Sequence, residues 1–220
     1  AKAHQIKTVL DNTWATPLFF NAHDFGIDVT TDAGTKYLGG HSDILLGTVT
    51  ANAQTWDVIR ENYDLLAMVP SAEDCFLALR GLRTMSLRVK EAEERGLAVA
   101  KLVKSHKAVA RVLHPAFADC PGHEFWLRDY QGSTGLFSIE LVPGFERADL
   151  ARMLDNLQVF AMGYSWGGFE SLIIPFDCQS YRTVSSWAPK GKTLRIQIGL
   201  ETLDDIKADL IAGLDRLGEP

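Results

Sequence analysis

The stretch TDAGTKYLGGHSD, which runs from Thr31 to Asp43, contains a single lysine among small and hydroxyl-bearing residues. After Lys36, histidine aside, no acidic or basic residue follows until Asp43. A lysine amine acts as a covalent catalyst toward carbonyl groups when a cramped, semi-buried place destabilises its ammonium form. Lys36 is therefore a candidate catalyst. A solvated lysine in a glycine-rich turn is the alternative that the spacing alone leaves open.

The residues beside Lys36 suit a bulky, phosphorylated ligand. Gly34, Gly39 and Gly40 carry no side chain and so permit close approach of such a ligand. Thr35 offers a hydroxyl and a backbone N–H, both of which are able to hold a phosphate oxygen. The turn therefore indicates a ligand with a phosphate group.

A second candidate, Asp11, stands at the carboxyl end of the apolar stretch IKTVL, residues 6–10, which we expect to be a buried strand. Ligand-binding groups collect beyond the carboxyl ends of strands in open α/β sheets. Enzymes that use pyridoxal phosphate need a carboxylate beside the ring nitrogen, because a protonated ring accepts carbanion charge. A turn or helix cap formed by Asp11-Asn12-Thr13 is the alternative explanation.

Two later segments carry groups suited to an amino acid substrate. In TLRIQIGL, residues 193–200, Arg195 points away from the apolar face of a predicted strand, and its guanidinium is able to clamp a carboxylate. A surface arginine with an acidic partner is the alternative. In YSWGGFESL, residues 164–172, two glycines follow a hydroxyl and an indole, a pattern typical of a loop shaped around a ligand. A β-turn carrying a packed tryptophan fits equally well.

Composition narrows the kinds of partner. The chain has 220 residues, 46% of them hydrophobic, and a net charge of −6. It therefore offers no basic surface for nucleic acid or acidic lipid, which favours a small-molecule partner. No apolar run approaches the roughly 18 residues needed to span a bilayer, and the first residues lack the apolar core of a signal peptide. Three widely spaced cysteines suggest no disulfide framework, so we expect a cytoplasmic protein.

Alternating short strands and helices up to about residue 80 predict an α/β region. Because a strand is predicted almost at the first residue, we expect the chain to begin inside this domain, with part of the domain upstream of Ala1. A helical stretch follows from about Ser71 to Ser105. The remainder predicts strands at AVARVL, GLFSIELV, LQVFAM and TLRIQIGL, a helix at RADLARMLDN, and a last helix with Thr202 as its N-cap. The sequence therefore predicts an α+β fold for this second region.

One further cluster holds potential metal ligands: His114, Asp119, Cys120 and His123. Metal-binding loops usually show tighter ligand pairs, so we expect no metal site. Cys75, in the helical segment EDCFLAL, fits a core residue better than a nucleophile.

The quoted segments resemble, in the same order, those of the Cys/Met-metabolism family of pyridoxal phosphate enzymes. LDNTWATPLFF is similar to the family's aspartate segment, which gives Asp11 the contact to the pyridine nitrogen. AGTKYLGGHSD is similar to its lysine segment, which makes Lys36 the Schiff-base residue and Thr35 a phosphate contact. LRIQIGLE assigns the substrate carboxylate to Arg195. RENYDLL, RGLRT, HPA and GHEFWLRDYQGSTGLFS also match, so the resemblance covers nearly all of the chain.

Among the family's members, the bacterial cystathionine β-lyases are the most similar. Members that act at the γ-carbon commonly carry leucine where this chain has Trp166, and the resemblance makes Ser165 and Trp166 substrate contacts. The chain departs from the pattern at Ala33, where many members have serine. At Tyr63 the register differs by one residue from the β-lyase pattern, and we assign this residue no role.

The resemblance implies a PLP-dependent transferase-like fold of type I. Residues 1–82 would be the C-terminal part of an α/β/α cofactor domain, and residues 83–220 an α+β C-terminal domain. It also implies a carbon–sulfur lyase of methionine biosynthesis, which converts L-cystathionine to homocysteine, pyruvate and ammonia by α,β-elimination. The alternatives are a methionine γ-lyase, a cystathionine γ-synthase or γ-lyase, a cysteine desulfhydrase, or a non-catalytic fragment.

The family further implies a homotetramer, built as a dimer of dimers, whose active sites are shared between subunits. Its phosphate loop, the tyrosine that stacks on the cofactor, and the tyrosine and arginine lent by a neighbouring subunit all precede the aspartate segment. We therefore expect the chain to be the C-terminal part of a longer protein and to be inactive without the rest.

Overall fold

The computed structural model describes residues 1–219, the side chain of Ser180 excepted. It divides into two compact units. The first comprises residues 1–88 together with residues 129–132, and the second comprises residues 89–128 together with the chain from residue 133 onward. The predicted boundary between a cofactor domain and a C-terminal domain after residue 82 stays a prediction, because the units are defined by packing alone.

The first unit contains a three-stranded sheet in the order β1-β2-β3, with β1 and β2 parallel and β2 and β3 antiparallel. Its strands are β1 (Val9–Asp11), β2 (Val29–Ala33) and β3 (Gly47–Ala51). Its helices are α1 (Thr16–Phe19), α2 (Trp56–Leu66) and α3 (Ala72–Leu82), with 3₁₀ turns at Lys2–His4 and Ala22–Phe25. Parallel pairing places the carboxyl ends of β1 and β2, which carry Asp11 and the lysine turn, at the same edge of the sheet.

Asp28 fixes the opposite end of this sheet. Its carboxylate accepts hydrogen bonds from the backbone N–H and hydroxyl of Thr8, which precedes β1, at 2.9 and 3.1 Å. It also accepts from the side-chain amide of Asn52, which follows β3, at 2.9 Å. These hydrogen bonds lower the pKa of Asp28 to about 2, and the bond from the Thr8 N–H has the largest effect. One carboxylate thus joins all three strands.

One expectation for this unit is wrong. The segment IKTVL is not a buried strand, because β1 begins only at Val9, and Ile6 and Val9 are 60% and 67% exposed. The predicted helical stretch from Ser71 to Ser105 is confirmed, as two helices. The first, α3, ends at Leu82, and α4 (Met85–Lys104) begins three residues later and extends into the second unit. The Ser71 hydroxyl caps α3 by accepting the Asp74 N–H at 3.0 Å.

The second unit is an antiparallel sheet covered by helices. The strands are β4 (Val109–Leu113), β5 (Leu136–Leu141), β6 (Leu172–Pro175) and β7 (Thr193–Gln197), in the order β4-β5-β7-β6. The helices are α5 (His123–Asp129), α6 (Arg147–Leu154) and α7 (Leu203–Asp215), with a 3₁₀ turn at Gln179–Tyr181. A buried apolar cluster joins this sheet to the later part of α4, to α6 and to α7; its members include Val99, Ile139, Met153, Ile196 and Leu210.

One predicted strand of the second unit is wrong. LQVFAM, residues 157–162, contributes only an isolated bridge between Ala161 and Leu172, and the actual strand is β6. The reason is Asp209 on α7, whose carboxylate accepts the backbone N–H groups of residues 158, 159 and 160 at 2.9, 2.8 and 3.1 Å. Donors held in this way are not available to a β-ladder. Thr202 is the N-cap of α7, as predicted, although its side chain makes no capping bond.

Candidate active site

Lys36 lies in a tight turn that follows β2 directly. The Lys36 N–H donates to the Ala33 carbonyl at 2.9 Å, and the Gly40 N–H donates to the Lys36 carbonyl at 2.7 Å. The Gly39 N–H donates to the Gly34 carbonyl at 2.8 Å. Gly40 has φ 72°, in the left-handed region that favours glycine. The lysine is thus half-buried in a closed turn, as its sequence neighbourhood predicts.

The glycines of this turn have a different role from the expected one. A Cβ on Gly34 would lie 2.6 Å from the Leu46 side chain, and a Cβ on Gly39 would lie 2.7 Å from the Ile44 side chain. At Gly40 the added atom would collide with the guanidinium of Arg88. The space beside these glycines is therefore filled by the protein itself, and their function is to let the turn close.

Thr35 bonds to the chain that leads into β3. Its backbone N–H donates to the Leu46 carbonyl at 3.1 Å, and its hydroxyl accepts the Leu46 N–H at 3.1 Å. The hydroxyl proton makes only a long bond of 3.4 Å to the Leu46 carbonyl. Since that bond is close to the limit for a hydrogen bond, the proton is readily given to a stronger acceptor such as a phosphate oxygen.

Asp11 is exposed at the end of β1 and bonds to the lysine-bearing strand through Thr13. One carboxylate oxygen accepts both the Thr13 N–H and the Thr13 hydroxyl, at 2.9 and 2.5 Å. The Thr13 hydroxyl oxygen in turn accepts the Ala33 N–H at 2.8 Å. The second carboxylate oxygen makes no hydrogen bond within residues 1–219. Asp11 therefore caps a turn, as the alternative reading proposed, and still presents a free oxygen.

Asp32 is a residue of this region that sequence reasoning missed. It lines a cavity of about 240 Å³ together with residues that include Thr13, Thr48, Leu82 and Met85. The described part of the chain gives its half-buried carboxylate no hydrogen bond and no ion pair. Burial, followed by the nearby charge of Asp11, raises the pKa of Asp32. The alternation of β2 was the available signal, because it puts Asp32 on the face opposite to Thr31 and Ala33.

Arg195, on β7 of the second unit, holds the predicted substrate loop. One terminal nitrogen, Nη2, donates to the Tyr164 carbonyl at 2.6 Å and weakly to the Ser165 carbonyl at 3.4 Å. Burial lowers the pKa of the guanidinium, which nevertheless stays charged. Nε and Nη1 have no acceptor among the described residues, and no carboxylate pairs with the group there. The predicted alternative of a surface ion pair is therefore wrong, and donors remain for a carboxylate ligand.

The loop that carries Ser165 and Trp166 is anchored at its far end. The Leu200 N–H donates to the Phe169 carbonyl at 2.8 Å. Glu201 accepts the N–H and the hydroxyl of Ser171 at 2.6 and 2.8 Å. Ser165 is exposed and Trp166 is partly buried. The loop is thus bonded to Arg195 of β7 at one end and to Leu200 and Glu201, just beyond β7, at the other. These bonds restrict the positions of the two candidate substrate contacts.

The cluster around Asp119 is engaged in other contacts. Lys104 donates to both carboxylate oxygens of Asp119 at 2.6 and 2.7 Å, and this hydrogen bond lowers the Asp119 pKa. His123 bonds to the Pro115 carbonyl at 2.7 Å. Among residues 1–219 no three His, Cys, Asp or Glu side chains are grouped closely enough to hold a metal ion.

Cys75, expected in the core, is exposed. No helix in the described residues is long and apolar enough to cross a bilayer.

Comparison with known proteins gives the family. The model of the Cys/Met metabolism PLP-dependent enzymes matches residues 1–215. A Saccharomyces cerevisiae protein, provisionally named cystathionine beta-lyase, is 59% identical over 168 residues, which are 76% of this chain and 49% of that protein. The cystathionine beta-lyase of Escherichia coli is 45% identical over 212 residues, which are 95% of this chain and 54% of the enzyme.

A solved structure agrees. Cystathionine gamma synthase from Xanthomonas oryzae pv. oryzae, in complex with aminoacrylate and cysteine, matches with a TM-score of 0.88 and 34% identity, over 99% of this chain and 57% of that one. This confirms the α/β, PLP-dependent transferase-like fold of type I. The chain spans about half the length of the curated relatives it matches. Pyridoxal phosphate is the family's cofactor, as the resemblance implied, and the chain belongs to the Cys/Met metabolism family of PLP-dependent enzymes.

Proposed function

We propose that the complete protein is a PLP-dependent carbon–sulfur lyase. Its reaction would be the α,β-elimination of L-cystathionine to homocysteine, pyruvate and ammonia, in methionine biosynthesis. The observation that carries the proposal is the chain of bonds from Asp11 through Thr13 to Ala33, three residues before Lys36. These bonds tie the Asp11 carboxylate to the end of β2, directly before the turn that carries Lys36. The names of the similar yeast and bacterial proteins support the choice of substrate.

The side chains of the first unit fit pyridoxal phosphate. The Asp11 carboxylate has one oxygen without a hydrogen bond in the described chain, and a carboxylate is the partner that a protonated pyridine nitrogen requires. Lys36 supplies the amine, and Thr35 supplies a hydroxyl whose own bond is long. When bound, the cofactor supplies an electron sink for the charge that develops at the substrate α-carbon.

In this proposal Lys36 is the residue that moves a proton. Its Nζ, as a free amine, takes the proton from the α-carbon, while the negative charge of Asp11 keeps the pyridine nitrogen protonated. Arg195 orients the substrate by donating to the α-carboxylate the guanidinium N–H groups that its bond to the Tyr164 carbonyl leaves available. The sulfur then leaves the β-carbon as a thiolate, in a site that Ser165 and Trp166 line.

The decisive experiment uses the full-length protein and L-cystathionine. Release of pyruvate with homocysteine supports β-elimination, and release of 2-oxobutyrate with cysteine would contradict it. Lys36→Ala should lower kcat by at least about a thousandfold, and Lys101→Ala, at an exposed position of α4, should not. Substantial turnover by Lys36→Ala would sink the assignment.

Other members of the family remain candidates for the reaction. They include a methionine γ-lyase, a cystathionine γ-synthase or γ-lyase, and a cysteine desulfhydrase. A cystathionine gamma synthase is among the similar structures. We nevertheless prefer the β-lyase, because Trp166 stands where members that act at the γ-carbon commonly carry leucine.

A non-catalytic role predicts a different colour. Yellow full-length protein, bleached by borohydride with the label on Lys36, supports a working cofactor site, whereas a colourless assembly supports a non-catalytic subunit.

The proposal extends to assembly and location. We infer a cytoplasmic homotetramer, formed as a dimer of dimers, whose activity needs the part of the relatives' length that this chain does not match. Sedimentation of the full-length protein should give four copies, and a monomer would contradict this proposal. Comparison of pyruvate release from the full-length protein and from the 220-residue chain tests the need for the additional length.

A further inference from the structure

Arg88, the fourth residue of α4, makes an unusual set of hydrogen bonds in the first unit. Its Nη1 donates to the Tyr37 carbonyl at 2.8 Å. Its Nη2 donates to the Leu38 carbonyl at 3.2 Å and to the Gly81 carbonyl at 2.8 Å. Its Nε donates to the Thr84 hydroxyl at 3.1 Å. A single guanidinium thus joins the two residues after Lys36 to the end of α3 and the start of α4.

The charge of this guanidinium is balanced by carbonyl dipoles. The part of the chain that the structure describes places no carboxylate within ion-pair distance of Arg88. Burial lowers its pKa, although the group stays charged. The Gly81 carbonyl is one of the last of α3, where the helix dipole favours a positive charge. The arrangement is therefore a cation held between a helix end and a turn, and its geometry depends on both.

The surroundings leave the lysine turn little freedom to take another position. The guanidinium occupies the space where Gly40 would carry a Cβ, and Gly40 closes the turn by donating to the Lys36 carbonyl at 2.7 Å. Next to it, Gly81, whose carbonyl binds the same guanidinium, touches the carbonyls of Leu38 and Gly39 so closely that its own Cβ would lie 2.5 Å from each. The guanidinium and Gly81 together hold the backbone that follows Lys36.

We propose that Arg88 is a positioning residue, which fixes the backbone on the C-terminal side of Lys36 and so sets where the lysine amine lies. The proposal rests on the function proposed above for Lys36. Lysine is only a partial substitute at position 88, because a compact ammonium cannot bridge carbonyls from two segments in the fixed directions of a planar guanidinium. Arg88 itself touches neither substrate nor cofactor in this proposal.

The test compares Arg88→Gln and Arg88→Lys with a matched control in the full-length protein. Arg83→Gln is the control, since Arg83 lies between the same helices, is exposed, and makes no side-chain hydrogen bond among residues 1–219. Native-state hydrogen exchange is measured at the amides of Gly39 and Gly40. Loss of several bonds to a charged donor should raise their exchange rates at least about tenfold in Arg88→Gln, and less in Arg88→Lys. Arg83→Gln should stay within about twofold of the parent.

A second readout follows the amine itself. In cofactor-free protein, the reaction of Lys36 with an amine-reactive acylating reagent is measured by mass spectrometry at a series of pH values. The midpoint of this pH profile should shift in Arg88→Gln and not in Arg83→Gln. Unchanged amide exchange rates at Gly39 and Gly40 would overturn the proposal. An equal rise in exchange rates throughout β1–β3 would also overturn it, because such a rise indicates only a loss of general stability. An unshifted Lys36 profile would overturn it as well. Failure of the lyase assignment is distinguished by absent pyruvate release in the unsubstituted protein.

Discussion

Gly81 of α3 approaches the Leu38 backbone so closely that a Cβ on Gly81 would fall 2.5 Å from the Leu38 carbonyl oxygen. Contacts of that length do not occur in folded proteins, and the atom met is backbone, which cannot rotate away. Glycine is therefore required at this helical position for a steric reason, although alanine is the better helix former.

We expect Gly81→Ala to destabilise the protein in spite of its helix propensity. The displacement of the lysine turn should lower the free energy of unfolding by about 1–3 kcal/mol, the usual cost of overpacking. Chemical denaturation measures this. Gly47→Ala in β3 is the control, because an added Cβ there meets no atom within 4 Å. Equal stability of Gly81→Ala and the parent would show that α3 does not press on the turn.

Asp11→Asn should remove the charge beside the proposed ring nitrogen and keep the local fold. The asparagine oxygen still accepts the Thr13 N–H and hydroxyl, which Asp11 accepts at 2.9 and 2.5 Å. We expect kcat of the full-length protein to fall by about a hundredfold or more, with an unchanged unfolding transition. Asp43→Asn, at an exposed position beyond the lysine turn, should leave both quantities near the parent values. An unimpaired Asp11→Asn enzyme would contradict the assignment.

Asp32→Asn should stabilise the protein at neutral pH. The folded-state pKa of Asp32 is raised, so the folded protein binds its proton more tightly than the unfolded chain does. Proton binding by Asp32 therefore favours folding below pH ~4, which is its ordinary pKa in the unfolded chain. This stabilisation is lost as the pH rises through the raised pKa of Asp32 in the folded protein. Removing the charge should gain at most about 1 kcal/mol at pH 7, because the group is partly solvated. The gain should vanish below pH ~4 in urea titrations at several pH values.

His114 should make the second unit sensitive to acid. It is fully buried, its Nδ1 accepts the Ala116 N–H at 3.1 Å, and its Nε2 has no partner within the described chain. Burial lowers its pKa to about 4. The unfolded chain therefore takes up this proton first, and stability present above pH ~6.5 falls by roughly 2–3 kcal/mol as the pH drops to 4.

His114→Asn tests that expectation, because an asparagine oxygen can replace Nδ1 as acceptor and does not titrate. Its free energy of unfolding should change less with pH between 6.5 and 4 than that of the parent. His4→Asn, in the exposed N-terminal turn, should keep the parent slope. Identical slopes in His114→Asn and the parent would assign the acid sensitivity to other groups.

Sequence reasoning succeeded where a local pattern fixes a local structure. Three features depend on residues within a few positions of one another: the glycine-rich turn of Lys36, the end of β1 at Asp11, and the face of β7 on which Arg195 lies. Their segments also carry the family's motifs. For this reason the fold class and family were predictable, and the candidate side chains were found in the expected elements.

It failed where a distant residue decides. Asp209 takes the N–H groups of residues 158–160 from about 50 positions away and prevents the strand that their composition favours. Arg88 reaches the lysine turn across a comparable separation, at |i−j| of 51 for Tyr37. The turn glycines looked like room for a ligand, because the sequence does not show that Leu46 and Ile44 fill it. No periodicity encodes such pairings.

The membership of the candidate residues in the two units bears on protein engineering. The three proposed cofactor contacts all belong to the first unit and the three proposed substrate contacts to the second. A full-length chimera that keeps residues 1–88 and 129–132 of this chain, and takes the other unit from a γ-cleaving relative, is expected to retain the cofactor and adopt the relative's substrate preference. A new substrate preference would then require exchange of the second unit alone, because the proposed cofactor contacts in the first unit would stay unchanged.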